Sequence, residues 1–549
     1  MDSFRSRFNV FLIIITIITA LVGVQLIRFQ LIQHVESQRD VPELLKAGSV
    51  ARGRIYDRNG YLLGGDEAHF ELAYDRNGAN YERFIQELAP TLGIQPADIL
   101  ALKAQPAILH QQLIKDLPYD LGSLVREKDI WGFTAHPYWK RAYPEGSLAA
   151  HVLGFVNDDR LGLYGVEGWY NDVLTPTRQA DGTFAPGADL VLTIDRNAQA
   201  ITEEELALAL RDTGAESGSI IVMNPRNGEI LAMASAPGYD PTRYAEVARE
   251  KETALVNSNV SDIYEPGSIF KILTMAAALD AGTVTRDTVY NDTASIEVGG
   301  QLIWNWDRGS HGPTDMTGLL AKSLNVGAST LAIRMGQQKF YQYLRAFGLG
   351  RPTGIDLQHE AAGLVITRDK NPDRWSEAIL ASNSFGQAIA TTPIQMVASI
   401  GSVANDGVLV QPHVVKKIIR GDRVDEAKIV ALGHPISRET ARTLSDMLAE
   451  AVVREVPEAL VDGYTIAGKT DTAQIPIPGG YDDPWTIASF IAYAPAHDPQ
   501  VIVLVKLDRP TSSMWGSETA VPAFQRLATR LFPVLGVRPD SQLSMINDQ

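Results

Sequence analysis

The stretch Tyr264-Glu265-Pro266-Gly267-Ser268-Ile269-Phe270-Lys271-Ile272-Leu273-Thr274-Met275-Ala276-Ala277-Ala278-Leu279-Asp280-Ala281-Gly282 decides how the rest of the chain is read. Pro266 and Gly267 punctuate its start and Gly282 is a natural stop, so a helix is predicted between them. From Ile269 to Leu279 that helix is apolar nearly all round, which marks a buried central element. Residues three apart share a helical face, so Ser268 and Lys271 can touch. A lysine in such surroundings is costly as a cation, and burial lowers its pKa. A neutral amine beside a serine hydroxyl at a helix N-terminus is a way to make an alkoxide nucleophile without histidine. Chance alone supplies about one or two Ser-x-x-Lys matches in so long a chain. The apolar setting therefore singles this one out more than the spacing does.

Two later segments bear on it. Lys322-Ser323-Leu324-Asn325-Val326-Gly327 lies between two short helical stretches, and Ile466-Ala467-Gly468-Lys469-Thr470-Asp471-Thr472-Ala473-Gln474 is flanked by strand-like sequence. Taken singly, Ser323 reads as a helix cap and Asn325 as a turn residue. Thr470 and Thr472 read as strand residues facing one side. In the order Ser-x-x-Lys, Ser-x-Asn, Lys-Thr-x-Thr, however, they match the signature of penicillin-binding proteins and serine β-lactamases. On these residues the chain resembles the class B penicillin-binding proteins, the membrane-anchored D,D-transpeptidases of bacterial peptidoglycan synthesis, of the division or elongation type. The likeness extends over almost the whole chain. Arg52-Gly53-Arg54-Ile55-Tyr56-Asp57-Arg58-Asn59-Gly60 is similar to the family's N-terminal signature, and Gly187–Asp195 with Asn227–Ala234 to the entry of its catalytic domain. Ser384-Phe385-Gly386-Gln387, Thr392-Pro393-Ile394-Gln395 and Ala404-Asn405-Asp406-Gly407 are similar to the run before its third motif.

Ser268 is the candidate nucleophile and Lys271 the candidate base. The resemblance implies that Ser323 relays a proton to the leaving amine and that Asn325 holds Lys271 or the substrate backbone. Lys469 would add positive potential, with Thr470 and Thr472 hydrogen-bonding a substrate carboxylate. The backbone N–H groups of Ser268 and Thr472 are the expected oxyanion donors. One departure stands out: the third motif usually ends in glycine, and this chain has Asp471. Pointing inward, Asp471 is expected to repel a D-Ala-D-Ala carboxylate or to compete for Lys469. Turned away by strand alternation, it leaves only Thr470 and Thr472 facing the substrate. Asp471→Gly is expected to increase β-lactam acylation.

The implied activity is cross-linking of stem peptides through a serine acyl-enzyme that β-lactams also form, without metal or organic cofactor. The alternative is a catalytically impaired, β-lactam-binding scaffold or sensor of the divisome or elongasome, on the strength of Asp471. A β-lactamase or carboxypeptidase using water as acceptor is a further reading, disfavoured by the large N-terminal segment. Implied partners are stem peptides, lipid-linked precursor strands and a multispanning membrane glycosyltransferase of the shape, elongation, division and sporulation group.

The chain has 549 residues, room for two or three domains. Its net charge of −16 argues against nucleic acid as a partner. The absence of cysteine excludes a thiol nucleophile, disulfides and thiolate metal sites. Residues 8–28 hold a membrane-length apolar run, Phe8 to Ile27, read as an uncleaved transmembrane anchor after a cytoplasmic tail of residues 1–7. Arg5 and Arg7 before it, against Arg28 after it, favour a cytoplasmic N-terminus, placing the remainder on the periplasmic side of a bacterial cell membrane. Residues 29–186 read as a mixed α/β pedestal and 187–535 as the transpeptidase domain, with 536–549 as a tail. Strand-like sequence at both ends of that domain, with helices between, predicts an α+β fold in which one antiparallel sheet is flanked by helices.

Overall fold

The computed structural model describes residues 50–76, 78–104 and 111–540. The expected cytoplasmic tail and transmembrane anchor lie outside them. Among the described residues no helix is long and apolar enough to cross a membrane. The chain divides into two compact units: one holds residues 67–140, the other 51–66 together with 141 onward.

In the first unit, the strand Leu62–Tyr74, from position 67 on, pairs with Gln111–Pro118 in antiparallel register, and also with Phe133–Ala142. The helices Tyr81–Glu87 and Tyr119–Lys128 accompany this sheet. Its core gathers Phe70, Leu72, Tyr74, Phe84, Ile99, Val125 and Phe133, with the rings of Phe84 and Phe133 stacked at 3.9 Å.

The second unit begins with the hairpin expected at Asp57-Arg58-Asn59-Gly60. Ile55–Tyr56 pairs antiparallel with Leu62 and Gly64, and Asp57 Oδ1 accepts the N–H groups of Asn59 and Tyr61, which fixes the turn. Arg52, just before it, donates to the fully buried carboxylate of Glu167 at 2.8 Å, and Arg141 donates to the same group at 2.6 Å. Two guanidiniums compensate a charge that alone would be too costly to bury.

The central sheet of this unit has five strands: β1 (Ser217–Met223), β2 (Ile230–Ala236), β3 (Ala467–Ile477), β4 (Gly480–Ala494) and β5 (Val501–Asp508). Their order is β2-β1-β5-β4-β3, and every neighbouring pair is antiparallel, with β3 at an edge. The helices that matter here are α1 (Arg196–Thr213), α2 (Lys271–Asp280), α3 (Met316–Ala321), α4 (Asn325–Met335), α5 (Pro393–Ala404), α6 (Arg438–Glu455) and α7 (Ala520–Val534). Successive strand residues point to opposite faces. Ile220, Val222, Phe490, Val503 and Val505 accordingly join Leu206, Phe524 and Leu527 of α1 and α7 in one core. Ile221, Met223, Ile491, Tyr493 and Leu504 join Leu273, Met396, Ile400 and Leu444 of α2, α5 and α6 in another. Covering both faces is why β5 opens with a continuous apolar run, Val501–Val505, rather than an alternating one.

The stretch that opened the reading departs from one continuous helix. Gly267–Phe270 forms a 3-10 turn, and α2 starts only at Lys271. Gly267 has φ +53°, a left-handed conformation that turns the chain sharply before the first α-helical residue. From Lys271 to Ala278 every side chain is buried, as the apolar pattern predicts.

Candidate active site

Three elements meet around Ser268. The 3-10 turn carries its side chain, α2 carries Lys271 one turn later, and the link from α3 to α4 carries Ser323 and Asn325. Ser323 has φ +57°, left-handed backbone that is unusual for a residue with a side chain. Nothing in α4 uses Ser323 as a cap, since Leu324 holds that position without a side-chain bond. The conformation instead directs both the carbonyl and the hydroxyl of Ser323 at one point, the amine of Lys271.

Lys271 is 1% exposed. Its Nζ donates to the backbone oxygen of Ser323 and to Oδ1 of Asn325, each at 2.7 Å. The hydroxyls of Ser268 and Ser323 complete the cage at 2.9 Å and 3.1 Å. Two of these four neighbours are pure acceptors. A neutral amine has two N–H groups and one lone pair, so the acceptors occupy the N–H groups and the lone pair is left for a hydroxyl proton. Burial drives the pKa of Lys271 well below the ordinary lysine value and the nearby positive Lys469 adds to this, while negative Asp471 opposes it. The geometry therefore permits proton transfer from Ser268 Oγ to Lys271 Nζ, and from Lys271 onward to Ser323 Oγ. Asn325 is positioned in turn by its Nδ2, which donates to the Trp304 carbonyl.

The third motif lies on edge strand β3, and alternation divides it into two faces. Thr470 and Thr472 are partly exposed, whereas Lys469 and Asp471 are buried on the other side at 5% and 3% exposure. Thr472 Oγ1 accepts the N–H of Gly516, leaving its own hydroxyl proton to donate. Lys469 Nζ donates to the backbone oxygen of Thr470, and burial lowers its pKa to about 8 against the opposing pull of Asp471 and Glu455.

Asp471 is turned away from the face of Thr470 and Thr472, but that side is not empty. It packs against the 3-10 turn, and Asp471 Oδ1 accepts the backbone N–H of Ser268 at 2.5 Å. Its Oδ2 is buried without a hydrogen bond, and its charge holds the Lys469 pKa up against burial. Alternation turns Asp471 from the face of Thr470 and Thr472, the second of the two placements the sequence allows, and the contact it makes there is with Ser268.

Residues to which the sequence assigns no role at the site complete the surroundings. Gly386 donates no side chain but accepts Gly267 N–H at 3.2 Å, and a Cβ at Gly386 would lie 2.2 Å from Gly267 O. That close approach is a physical reason for glycine in the Ser384–Gln387 run. Trp306, 57% exposed, donates from Nε1 to the carbonyl of Lys322 and meets Trp515 edge to face, so an aromatic pair lies beside the second and third motifs. No local pattern announces it.

A serine on a 3-10 turn and a buried amine at the start of the helix that follows, faced by Ser-x-Asn and by a Lys-Thr edge strand, define the class of penicillin-recognising serine proteins. The penicillin binding protein transpeptidase domain family matches residues 218–529, and the penicillin-binding protein dimerisation domain family matches residues 48–181. Stage V sporulation protein D of Bacillus subtilis is 33% identical over 519 residues, 89% of this chain and 79% of its own. A protein of Neisseria gonorrhoeae, PenA, described as a probable peptidoglycan D,D-transpeptidase, is 29% identical over 523 residues, 90% of this chain and 86% of its own. The crystal structure of penicillin binding protein 3 of Mycobacterium tuberculosis complexed with aztreonam superposes with a TM-score of 0.71 at 30% identity, covering 90% of this chain and 98% of that one. The chain belongs to the class B penicillin-binding proteins.

Proposed function

We propose that this protein is a peptidoglycan D,D-transpeptidase acting through a Ser268 acyl-enzyme. The observation that carries the reading is the cage around Lys271, whose amine meets Ser268 Oγ, Ser323 and Asn325 at once. Lys271 takes the Ser268 hydroxyl proton, and Oγ attacks the carbonyl carbon of the penultimate D-Ala. The C–N bond breaks, Ser323 passes a proton to the departing amine, and terminal D-Ala leaves. The amine of a neighbouring stem then attacks the ester, gives up its proton along the reverse path, and regenerates Ser268 as the new peptide bond forms. Lys469 supplies positive potential for the stem-peptide carboxylate, which Thr470 and Thr472 hydrogen-bond from the open face of β3. The names of the relatives support peptidoglycan as substrate and the aztreonam complex supports acylation by β-lactams.

Residues 8–28 anchor the chain in the bacterial cell membrane in this reading, residues 29–186 form the pedestal, and the transpeptidase domain works on the periplasmic side. A multispanning membrane glycosyltransferase supplies the glycan strands. The contact of Asp471 with Ser268 favours a second reading, a catalytically impaired β-lactam-binding scaffold or sensor of the divisome or elongasome.

Incubation with a fluorescent penicillin, with Ser268→Ala in parallel, tests the proposal. A stable label on the wild type, absent in the variant, and mapped to Ser268 by mass spectrometry is the expected result. Rapid turnover of the drug would point to a hydrolase instead. A folded wild type that never labels would favour the scaffold.

A further inference from the structure

The expected oxyanion donors are not free. A tetrahedral intermediate needs donors about 2.7–3.1 Å from the position its oxygen will take. At the Ser268 N–H an oxygen is already in that position, Oδ1 of Asp471 at 2.5 Å. The N–H of Thr472, the second expected donor, also favours the ionised form of this carboxylate. The fit is built rather than incidental. A Cβ at Gly267 would lie 2.1 Å from Asp471 Oδ1 and 2.5 Å from Oδ2, so the turn accepts this carboxylate only because Gly267 has no side chain. The second oxygen, Oδ2, is buried and lacks a hydrogen bond, so only Oδ1 is tied to the turn.

From this geometry we infer that Asp471 is a resident plug of the oxyanion site, and that substrate or β-lactam acylates Ser268 only by displacing it. One N–H directed at one oxygen cannot serve a carboxylate and an incoming carbonyl together. The inference rests on the reading of Ser268 as the nucleophile. The charged and titratable groups facing Asp471 are Lys469 on its own strand, Lys271 at the start of α2, and Tyr264 ahead of the turn. Burial pushes the Asp471 pKa up to about 7, with the Ser268 N–H and the two lysines pulling it back. Ionised and neutral forms therefore lie close together near neutral pH, and the plug is held without being locked. Its charge also favours protonated Lys271, against the burial and the Lys469 charge that lower the Lys271 pKa.

The test compares second-order acylation rates with a fluorescent penicillin for wild type, Asp471→Gly, Asp471→Ala and Asp471→Asn at pH 8, with thermal melts alongside. The glycine and alanine variants remove the occupant. Each is expected to acylate at least about 10-fold faster than wild type, against the 100- to 1,000-fold typical of one oxyanion donor. Asparagine removes the charge but keeps an acceptor oxygen over Ser268 N–H, and is expected to stay within a few-fold of wild type. Glycine and asparagine variants that accelerate equally would overturn the plug and leave only an electrostatic effect on Lys271. A glycine variant no faster than wild type, with Ser268 still labelled, would overturn the plug while preserving the nucleophile. No label on any variant, all folded by their melts, would remove the Ser268 reading and the plug with it.

Discussion

On its helical side and on its strand side, this site is in two different states of readiness. Around Lys271, four oxygens are in hydrogen-bonding range and the buried amine is pushed toward its neutral form, so proton transfer needs no rearrangement. Along β3 the opposite holds. Lys469 bonds to its neighbour Thr470, through backbone oxygen and hydroxyl, and the Ser268 N–H is filled by the chain's own carboxylate. The contrast teaches that a preformed base and a preformed oxyanion site are separable features, and that this sequence completes one and restrains the other. Proton transfer typically contributes about 100- to 10,000-fold to rate and one oxyanion donor about 100- to 1,000-fold. On the proposed reading, restraint of the second half is expected to slow acylation without abolishing it.

Three further experiments bear on the contrast. Lys271→Ala dismantles the ready half and is expected to lower penicillin acylation by about 1,000-fold or more. Retention of near wild-type labelling in a protein with an unchanged melt would break the contrast at its stronger end. Asn325→Ala removes one of the two pure acceptors while leaving the Ser323 contacts. Leaving a buried N–H without its acceptor costs about 1–3 kcal/mol, which corresponds to a loss of about 5- to 150-fold. Its acylation rate at fixed pH, beside that of Asp471→Gly, shows which half limits turnover.

The smallest effect concerns pH. If the neutral amine is the working form, acylation rises with pH through a limb lying well below the roughly 10.4 of an ordinary lysine. Removing the Asp471 charge moves that limb further down, because the charge holds the Lys271 pKa up. A pH–rate profile for wild type and Asp471→Asn measures both positions. A limb at the ordinary lysine value, or one that moves up in the variant, would contradict the electrostatics described here.

Much of the architecture was legible because it rests on periodicity. The apolar run Val501–Val505 of β5 and the all-round apolar surface of α2 carry their burial in the sequence itself. The proximity of Ser268 and Lys271 follows from helical spacing, although the 3-10 turn before α2 does not. Ser323 and Asn325 are harder cases, since each alone reads as a cap or a turn. Only motif order pointed to them, and nothing local reveals the left-handed backbone that aims Ser323 at Lys271. Asp471 marks where local reasoning stops. Alternation along β3 gives its face, but what that face meets is a residue 203 positions away in the chain.

Gly267 carries a consequence for how this protein can change. Its missing side chain admits the Asp471 carboxylate, and Gly386 is pressed against Gly267 from another side, so the pocket behind Ser268 is shared among three positions. An aspartate codon and a glycine codon differ by one base. A lineage with this sequence therefore stands a single nucleotide from the glycine usual at the end of the third motif, whereas any side chain at Gly267 would collide with the carboxylate. Selection has an unequal menu here: the restraint at position 471 can be lifted in one heritable step, while position 267 must stay as it is for as long as that restraint is kept.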